Sequence, residues 1–223
     1  MRVLELYAGC GGLAHGFHKA GFKHVALVEF SESCCQTLVA NGFHNVLCQD
    51  VQDVKFGALR GKVDIVTGGP PCQPFSVGGD MQGDADERNM LDDCVRVVRE
   101  VQPAAFCFEN VNSLCADKFR PYLDRLMHKF RRAGYTMTIY KVDAADYGIP
   151  QHRKRCFLIG FRDKVDFQFP QPTGKVKTVR DVFRELGPPN GKHRHELHEA
   201  KARAFVDAFH SAGLILGRRL APS

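Results

Sequence analysis

The chain has no tryptophan, no C-x-x-C pair, no internal repeat and no low-complexity segment. No apolar run approaches the roughly 20 residues that a membrane-spanning helix needs. The opening MRVLELYAGCGG is too rich in glycine and too short in apolar residues for a secretory signal, so an intracellular protein is expected. Nine cysteines are an odd number without paired or metal-ligand spacing, which leaves a disulfide framework unsupported. Cys10, Cys34, Cys35, Cys48, Cys94, Cys107, Cys115 and Cys156 read as free thiols among apolar or helical neighbours. No metal is expected either: His193, His195 and His198 read as exposed histidines at a helix entry rather than a ligand set.

A dominant charge is also missing. Lysine and arginine total 31 and aspartate and glutamate 25 among 223 residues, and 44% of the chain is hydrophobic. That is the balance of a globular domain, not of a disordered tail or a collagen-like repeat. The charge is uneven, however: residues 1–150 carry net −2 and residues 151–223 net +8. A polyanion would be met by the basic third.

Short apolar runs alternate with helical patterns, as in stacked βα units on a mostly parallel sheet. Strands are expected at 2–7, 24–29, 45–48, 63–67, 104–109, 136–142 and 155–161, with helices at 13–20, 31–41, 52–59, 87–101 and 117–133. This is a doubly wound, seven-stranded α/β sheet. Ligands of such sheets bind outside the carboxyl ends of the strands, at the switch point. Residues 163–195 are polar and proline-bearing, a linker around a short helix at 178–186, and a last amphipathic helix is expected at 196–212. The expected division is 1–162 for the main domain and 163–223 for a basic linker with its helix.

Three strand ends carry cofactor chemistry. The first runs into Tyr7-Ala8-Gly9-Cys10-Gly11-Gly12, where glycines let the backbone approach a ligand and aim helix-terminal N–H groups at it. The second ends in Glu29, placed to accept two ribose hydroxyls, and the third reaches Asp50-Val51, an acceptor for an adenine amino group. Together they point to a nucleoside-containing cofactor. The spacing Gly9-x-Gly11-x-x-Ala14 also satisfies a loose dinucleotide fingerprint, which keeps a nicotinamide-dependent oxidoreductase open here.

The fourth strand leads to GGPPCQPFS at 68–76, in which prolines stiffen the backbone around Cys72. A thiolate whose approach is fixed suits covalent catalysis. The fifth strand delivers Glu109-Asn110-Val111 to the same edge, and Gln151, Arg153 and Arg155 alternate along one face of an extended segment.

GGPPCQPFS, ENV at 109–111, Q-x-R-x-R at 151–155 and the opening ELYAGCGGL resemble, in order, the signature set of the DNA cytosine-5 methyltransferases. The resemblance covers residues 1–161 almost continuously. It implies the Rossmann-like fold of S-adenosylmethionine-dependent methyltransferases, S-adenosylmethionine as cofactor and double-stranded DNA as partner. In that pattern Cys72 is the nucleophile at cytosine C6, Glu109 holds the base edge and protonates N3, and Asn110 positions the cysteine loop. Arg153 or Arg155 lowers the thiol pKa, and Arg155 meets the base or a phosphate. Tyr7, Ala8, Gly9, Gly11, Gly12, Glu29, Asp50, Val51, Pro71 and Leu91 would hold the cofactor, while Gln73, Ser76 and Gln151 would contact the substrate. An RNA-methylating branch shares these residues, so tRNA is the alternative substrate; a third reading is a non-catalytic fragment that binds DNA or cofactor.

The pattern breaks after residue 161. Complete family members continue into a target-recognition domain and a closing Gly-Asn-x-Val-Pro segment, and no Gly-Asn pair occurs here. TVRDVFRELGPP looks like the lead-in to the recognition region. Three readings stay open: one half of a split enzyme with a second polypeptide as partner, a truncated copy, or a minimal enzyme using helix 196–212 as its closing element.

Overall fold

The computed structural model of the protein describes residues 1–71, 90–174 and 176–186. Two compact units result, Met1–Val176 and Lys177–Ser223. In the first, seven strands form one sheet: β1 (Arg2–Leu6), β2 (Lys23–Glu29), β3 (Val46–Cys48), β4 (Ile65–Gly68), β5 (Ala105–Val111), β6 (Thr136–Asp143) and β7 (Lys154–Phe161). Their spatial order is β3-β2-β1-β4-β5-β7-β6, and β7 alone runs antiparallel, between β5 and β6. All seven expected strands are present, with ends displaced by no more than two residues. The chain turns one way from β1 to β2 and the other way to β4, so the switch point lies between the carboxyl ends of β1 and β4.

Burial follows from that topology. In β1, Val3, Leu4, Glu5 and Leu6 are all fully buried, as a strand covered on both faces requires. Along β2 the side chains alternate: Leu27 joins Ala8, Ala14 and Leu38 beneath α1 (Gly12–Lys19) and α2 (Glu32–Ala40). Ala26 and Val28 join the larger core beneath α3 (Leu91–Val101) and α4 (Arg120–Arg132). In that core Phe106 stacks on Phe130 with centroids 4.2 Å apart and on Phe108 at 5.3 Å. Gly160 is the β7 partner of Phe106, and a Cβ there would run into the Phe106 ring.

The helix expected at 52–59 does not form. Two 3-10 turns, Val51–Asp53 and Gly57–Leu59, flank an extended Val54. The reason lies on α3, whose side chains take the backbone groups a helix would have used. Arg96 donates to the carbonyls of Val51 (2.7 Å) and Val54 (3.1 Å), and the Glu100 carboxylate accepts from the Phe56 amide (2.7 Å). Of the helix expected at 87–101, α3 begins at Leu91, and the helix expected from 117 opens as a 3-10 turn, Asp117–Phe119, before α4.

The polar segment after residue 162 does not behave as a free linker over its first part. Phe167 and Phe169 share one side of an extended stretch. Phe169 stacks on Tyr140 of β6 at 4.8 Å, and Phe167 packs 5.3 Å from Phe161 of β7. Polar neighbours hide this period-two aromatic pair in the sequence.

Within the second unit, α5 (Val179–Leu186) matches the short helix expected at 178–186. A capping box starts it: Thr178 N–H donates to the Asp181 carboxylate (2.9 Å), and the Asp181 amide donates to the Thr178 hydroxyl (3.2 Å). The expected helix 196–212 and His193, His195 and His198 lie outside the described residues. Among the described residues no helix is long and apolar enough to cross a membrane, and no three or more His, Cys, Asp or Glu side chains are grouped so that they could hold a metal ion.

Gly160→Ala should lower the unfolding free energy by about 1–3 kcal/mol, because the ring stack has no room to yield. Urea titration measures it, and an unchanged midpoint would mean that Phe106 can move aside.

Candidate active site

The first turn of the site is held by a carboxylate. Glu29, buried at the end of β2, accepts from the Gly9 amide through Oε2 (2.8 Å) and from the Ser31 amide through Oε1 (2.9 Å). One side chain thereby joins the β1–α1 turn to the entry of α2. The turn itself is left-handed at Tyr7 (φ 53°), Gly9 (φ 53°) and Gly11 (φ 90°). At Gly11 a Cβ would also press on Leu38 of α2. Ala8 is buried, and its amide donates to the Val28 carbonyl (3.1 Å). Glu5, named within the same motif, faces elsewhere: it pairs with His24 Nε2 (3.1 Å), and burial raises its pKa against the pull of that histidine.

A cavity of about 180 Å³ opens beside this turn, lined by Tyr7, Glu29, Phe30, Asp50, Val51, Pro71 and Met90 among others. Asp50 adds an Asx turn, accepting from the Gln52 amide (2.9 Å). Both carboxylates line the cavity and have more acceptor sites than the amide bonds they make. Phe30 escaped the sequence reading; its ring is 70% exposed directly after Glu29, a flat apolar surface at the cavity rim. Its signal was an aromatic following a strand-ending acid. Leu91 is fully buried in the larger core as the first residue of α3, directly after Met90, which lines the cavity. The Tyr7 hydroxyl reaches the Met90 carbonyl at 3.5 Å, and burial pushes the phenol pKa up, so it stays a neutral donor.

A larger cavity of about 650 Å³ adjoins the same strand ends. Tyr7, Gly12, Leu13 and Gly69 form one side, and Glu109, Arg153 and Arg155 supply its charge. Glu109 and Arg155 pair directly, Oε1 to Nε at 2.7 Å, with both side chains about a quarter exposed (27% and 23%). The register explains the contact. Glu109 lies opposite Phe157, so Arg155 is its diagonal neighbour on the same face. Asn110, the next residue along β5, is buried on the other face, toward the β4 exit. Its side-chain NH₂ points at the Pro70 carbonyl (3.4 Å), and its oxygen accepts from the Val111 amide (2.9 Å). Gly69 stands over Glu109; a Cβ there would lie 3.5 Å from Oε2.

Gln151 is exposed on the loop between β6 and β7 and lines neither cavity, whereas Arg153 lines the larger one. Cys72, Gln73 and Ser76 lie outside the described residues, whose nearest end is Pro71. The remaining wall, which the sequence reading missed, is apolar: Val142, Tyr147, Ile149, Phe157, Phe169 and Pro170. The Tyr147 hydroxyl donates to the Pro170 carbonyl (2.9 Å), which ties the segment after β7 to this wall.

A family model described as C-5 cytosine-specific DNA methylase matches residues 1–209. The chain is 37% identical over 194 residues to the Type II methyltransferase M.NgoPII of Neisseria gonorrhoeae, covering 83% of this chain and 57% of that protein. It is 36% identical over 223 residues to the Type II methyltransferase M.AquIA of Picosynechococcus sp., covering 84% of this chain and 89% of that protein. Of M.NgoMIV and M.PspPI it spans 65% and 45%. A solved E. coli structure described as a DNA modification methyltransferase encoded within a prophage superposes with a TM-score of 0.69 at 29% identity. That match covers 85% of this chain and 56% of the other.

Glu29→Gln would turn an NH₂ group toward one of the two amides that the carboxylate now accepts. The unfolding free energy should fall by about 1–3 kcal/mol. Denaturant titration checks this, and a wild-type midpoint would mean that the turn holds itself without the carboxylate.

Proposed function

Because the chain belongs to the C-5 cytosine-specific DNA methylase family, we propose that it methylates C5 of cytosine in DNA, with Cys72 as covalent nucleophile. The observation that carries this reading is the Glu109–Arg155 pair at 2.7 Å, beside the Asn110-tethered arm Gly69–Pro71 that leads to Cys72. The description of the matching family, C-5 cytosine-specific DNA methylase, favours DNA over RNA as substrate.

The small cavity fits a nucleoside. Glu29 offers free lone pairs to ribose hydroxyls, Asp50 to an exocyclic amine, and the Phe30 ring a stacking face for a base. Amides of the first turn of α1 open at Gly12 and Leu13, where the amino-acid carboxylate would lie. When bound there, S-adenosylmethionine supplies an electrophilic methyl group.

Cytosine C5 is a weak nucleophile. The Cys72 thiolate adds to C6 and forms an S–C6 bond, and the ring electrons move toward C5 as Glu109 delivers a proton to N3. C5 then takes the methyl group from the sulfonium, which leaves a neutral thioether. The C5 proton passes to water, its electron pair re-forms the C5–C6 bond and expels the thiolate, and the N3 proton returns to Glu109, which gives neutral 5-methylcytosine. Arg155 orients the Glu109 carboxyl group through its guanidinium. Arg153, which lines the same cavity, adds positive charge that favours a thiolate. A stacked base cannot reach this cleft, so the cytosine must be flipped out of the duplex.

The apolar wall around Ile149 and Phe169 suits a cover of protein rather than of water. We assign it to a target-recognition element, carried by a second polypeptide or by further chain of the kind that the longer relatives possess.

The test is transfer of labelled methyl from S-adenosylmethionine to mixed-sequence duplex DNA by the 223-residue chain. Label recovered as 5-methylcytosine supports the reading; its absence with every recognition partner supplied counts against it. Cys72→Ser should abolish transfer with cofactor affinity retained within about threefold, and full turnover would remove the covalent route. Glu109→Gln should slow transfer by about a hundredfold or more, and a loss under about tenfold would refute its role at N3.

A further inference from the structure

The loop from Ala144 to Arg153 carries Tyr147, Ile149 and Arg153 to the large cavity, and its neck is held by one carboxylate. Asp143, the last residue of β6, accepts through Oδ1 from the Ala145 amide (3.2 Å) and the Arg153 amide (2.9 Å). Its Oδ2 meets His152 Nδ1 at 3.1 Å. One main-chain bond closes the neck beside it, from the Ala144 amide to the Arg153 carbonyl (3.1 Å). Inside the loop the amides of Gly148 and Ile149 donate to the carbonyls of Ala145 and Ala144 (3.2 Å each), around a left-handed Gly148. Its tip is tied to the segment after β7: the Asp146 carbonyl accepts from the Thr173 amide (3.0 Å) and hydroxyl (3.2 Å), and the Tyr147 hydroxyl donates to the Pro170 carbonyl (2.9 Å). Asp143 therefore fixes the neck, and with it the Arg153 end of the loop, to the sheet, while the tip is held separately through Asp146 and Tyr147.

The mounting matters because of where Arg153 begins. Its amide is clamped one residue before β7, while its side chain reaches the cavity two residues from Arg155. Among the described residues the Arg153 guanidinium has no hydrogen-bond or ion-pair partner, in contrast to Arg155, which pairs with Glu109. An arginine on a fixed backbone with an uncommitted head is suited to a phosphate oxygen, which positions a nucleic acid without reading its sequence.

We propose that Asp143 is a positioning residue for the nucleic-acid face: its carboxylate holds the 144–153 loop so that Arg153 is presented to the substrate backbone. This rests on the reading of the chain as a DNA methyltransferase. The carboxylate is suited to the task at neutral pH. Burial opposes its charge, but the Ala145 amide, His152 and the Arg153 amide outweigh that, and its pKa lies below the usual range. Asparagine in its place keeps an acceptor oxygen for the two amides and changes only the side facing His152, where a charged acceptor becomes an NH₂ donor.

The experiment compares Asp143→Ala and Asp143→Asn with the unaltered chain by two readouts. The first is hydrogen exchange at the Ala145 and Arg153 amides. Exchange should accelerate by about tenfold or more in the alanine variant and stay within about threefold in the asparagine variant, with β5 amides unchanged in both. The second is binding of a cytosine-containing duplex across a salt series. Asp143→Ala should weaken it by about tenfold and flatten its salt slope, Asp143→Asn should restore most of it, and S-adenosylmethionine affinity should not move. Unchanged exchange in Asp143→Ala overturns the clamp. Lost protection with unchanged DNA affinity overturns its role toward substrate. Equal damage to cofactor and DNA binding reduces Asp143 to a structural residue and likewise overturns it. Should the alanine variant not fold, Asp143→Ser, whose hydroxyl can accept from one amide, replaces it with the same signs expected. If the unaltered chain binds no duplex at any salt, with or without a recognition partner, the methyltransferase reading fails, and the exchange arm still decides the clamp.

Discussion

The cleft depends on the register of one antiparallel strand pair. β7 enters the sheet between β5 and β6, and Val111 lies opposite Arg155, Asn110 opposite Cys156 and Glu109 opposite Phe157. That register puts Glu109 and Arg155 on one face as diagonal neighbours and turns Asn110 inward, toward the arm leaving β4. A slip of one residue would send Arg155 to the opposite face and leave Glu109 beside an unrelated side chain. The register is pinned from inside. Gly160 must face Phe106 because the Phe106 ring, stacked on Phe108 and Phe130, leaves no space for a Cβ. A core contact near one end of the strand thus sets the charge pairing near the other.

A second theme is the use of carboxylates on backbone amides. Glu29 brackets Gly9 and Ser31, Asp50 holds Gln52, and Asp143 holds Ala145 and Arg153. Each stands at the carboxyl end of a strand or just past it, where the chain leaves the sheet and its amides lose their ladder partners. A short acidic side chain restores those bonds and fixes the exit angle of the loop. Because an ionised carboxylate has about four acceptor sites, two amides leave lone pairs over. The same residue can hold the loop and still offer an acceptor to a ligand, and Glu29 and Asp50 both combine a loop-holding bond with a place on the wall of the small cavity.

The connection between β3 and β4 follows the converse logic. Its backbone groups are satisfied by Arg96 and Glu100, which project from α3, so no helix is needed to pair them. Because those residues are held from α3, Asp50 and Val51 stay at the cavity edge, and α3 itself begins at Leu91, directly after the lining residue Met90. The edge of the small cavity and the core packing are here one set of contacts.

Much of this was legible in the sequence. Apolar runs at β spacing mark all seven strands, since a strand buried on both faces has few compositions open to it. The glycine turn, Glu29, Asp50 and the Glu109-Asn110 pair follow from the rule that sheet ligands sit at strand ends, and each of them lies there. Other features carry no local signal. The failed helix at 52–59 was decided by side chains more than forty residues away, and the wall formed by Ile149 and Phe169 by the way a proline-bearing segment folds back on β6 and β7. That Met90 lines the cavity while Leu91 beside it is buried turns on one residue at the start of the helix. Sequence determines which groups stand near the strand ends, because periodicity and turn chemistry act over a few residues. Which of those groups touch is decided by strand register and by distant donors and acceptors, and these exist only once the sheet has closed.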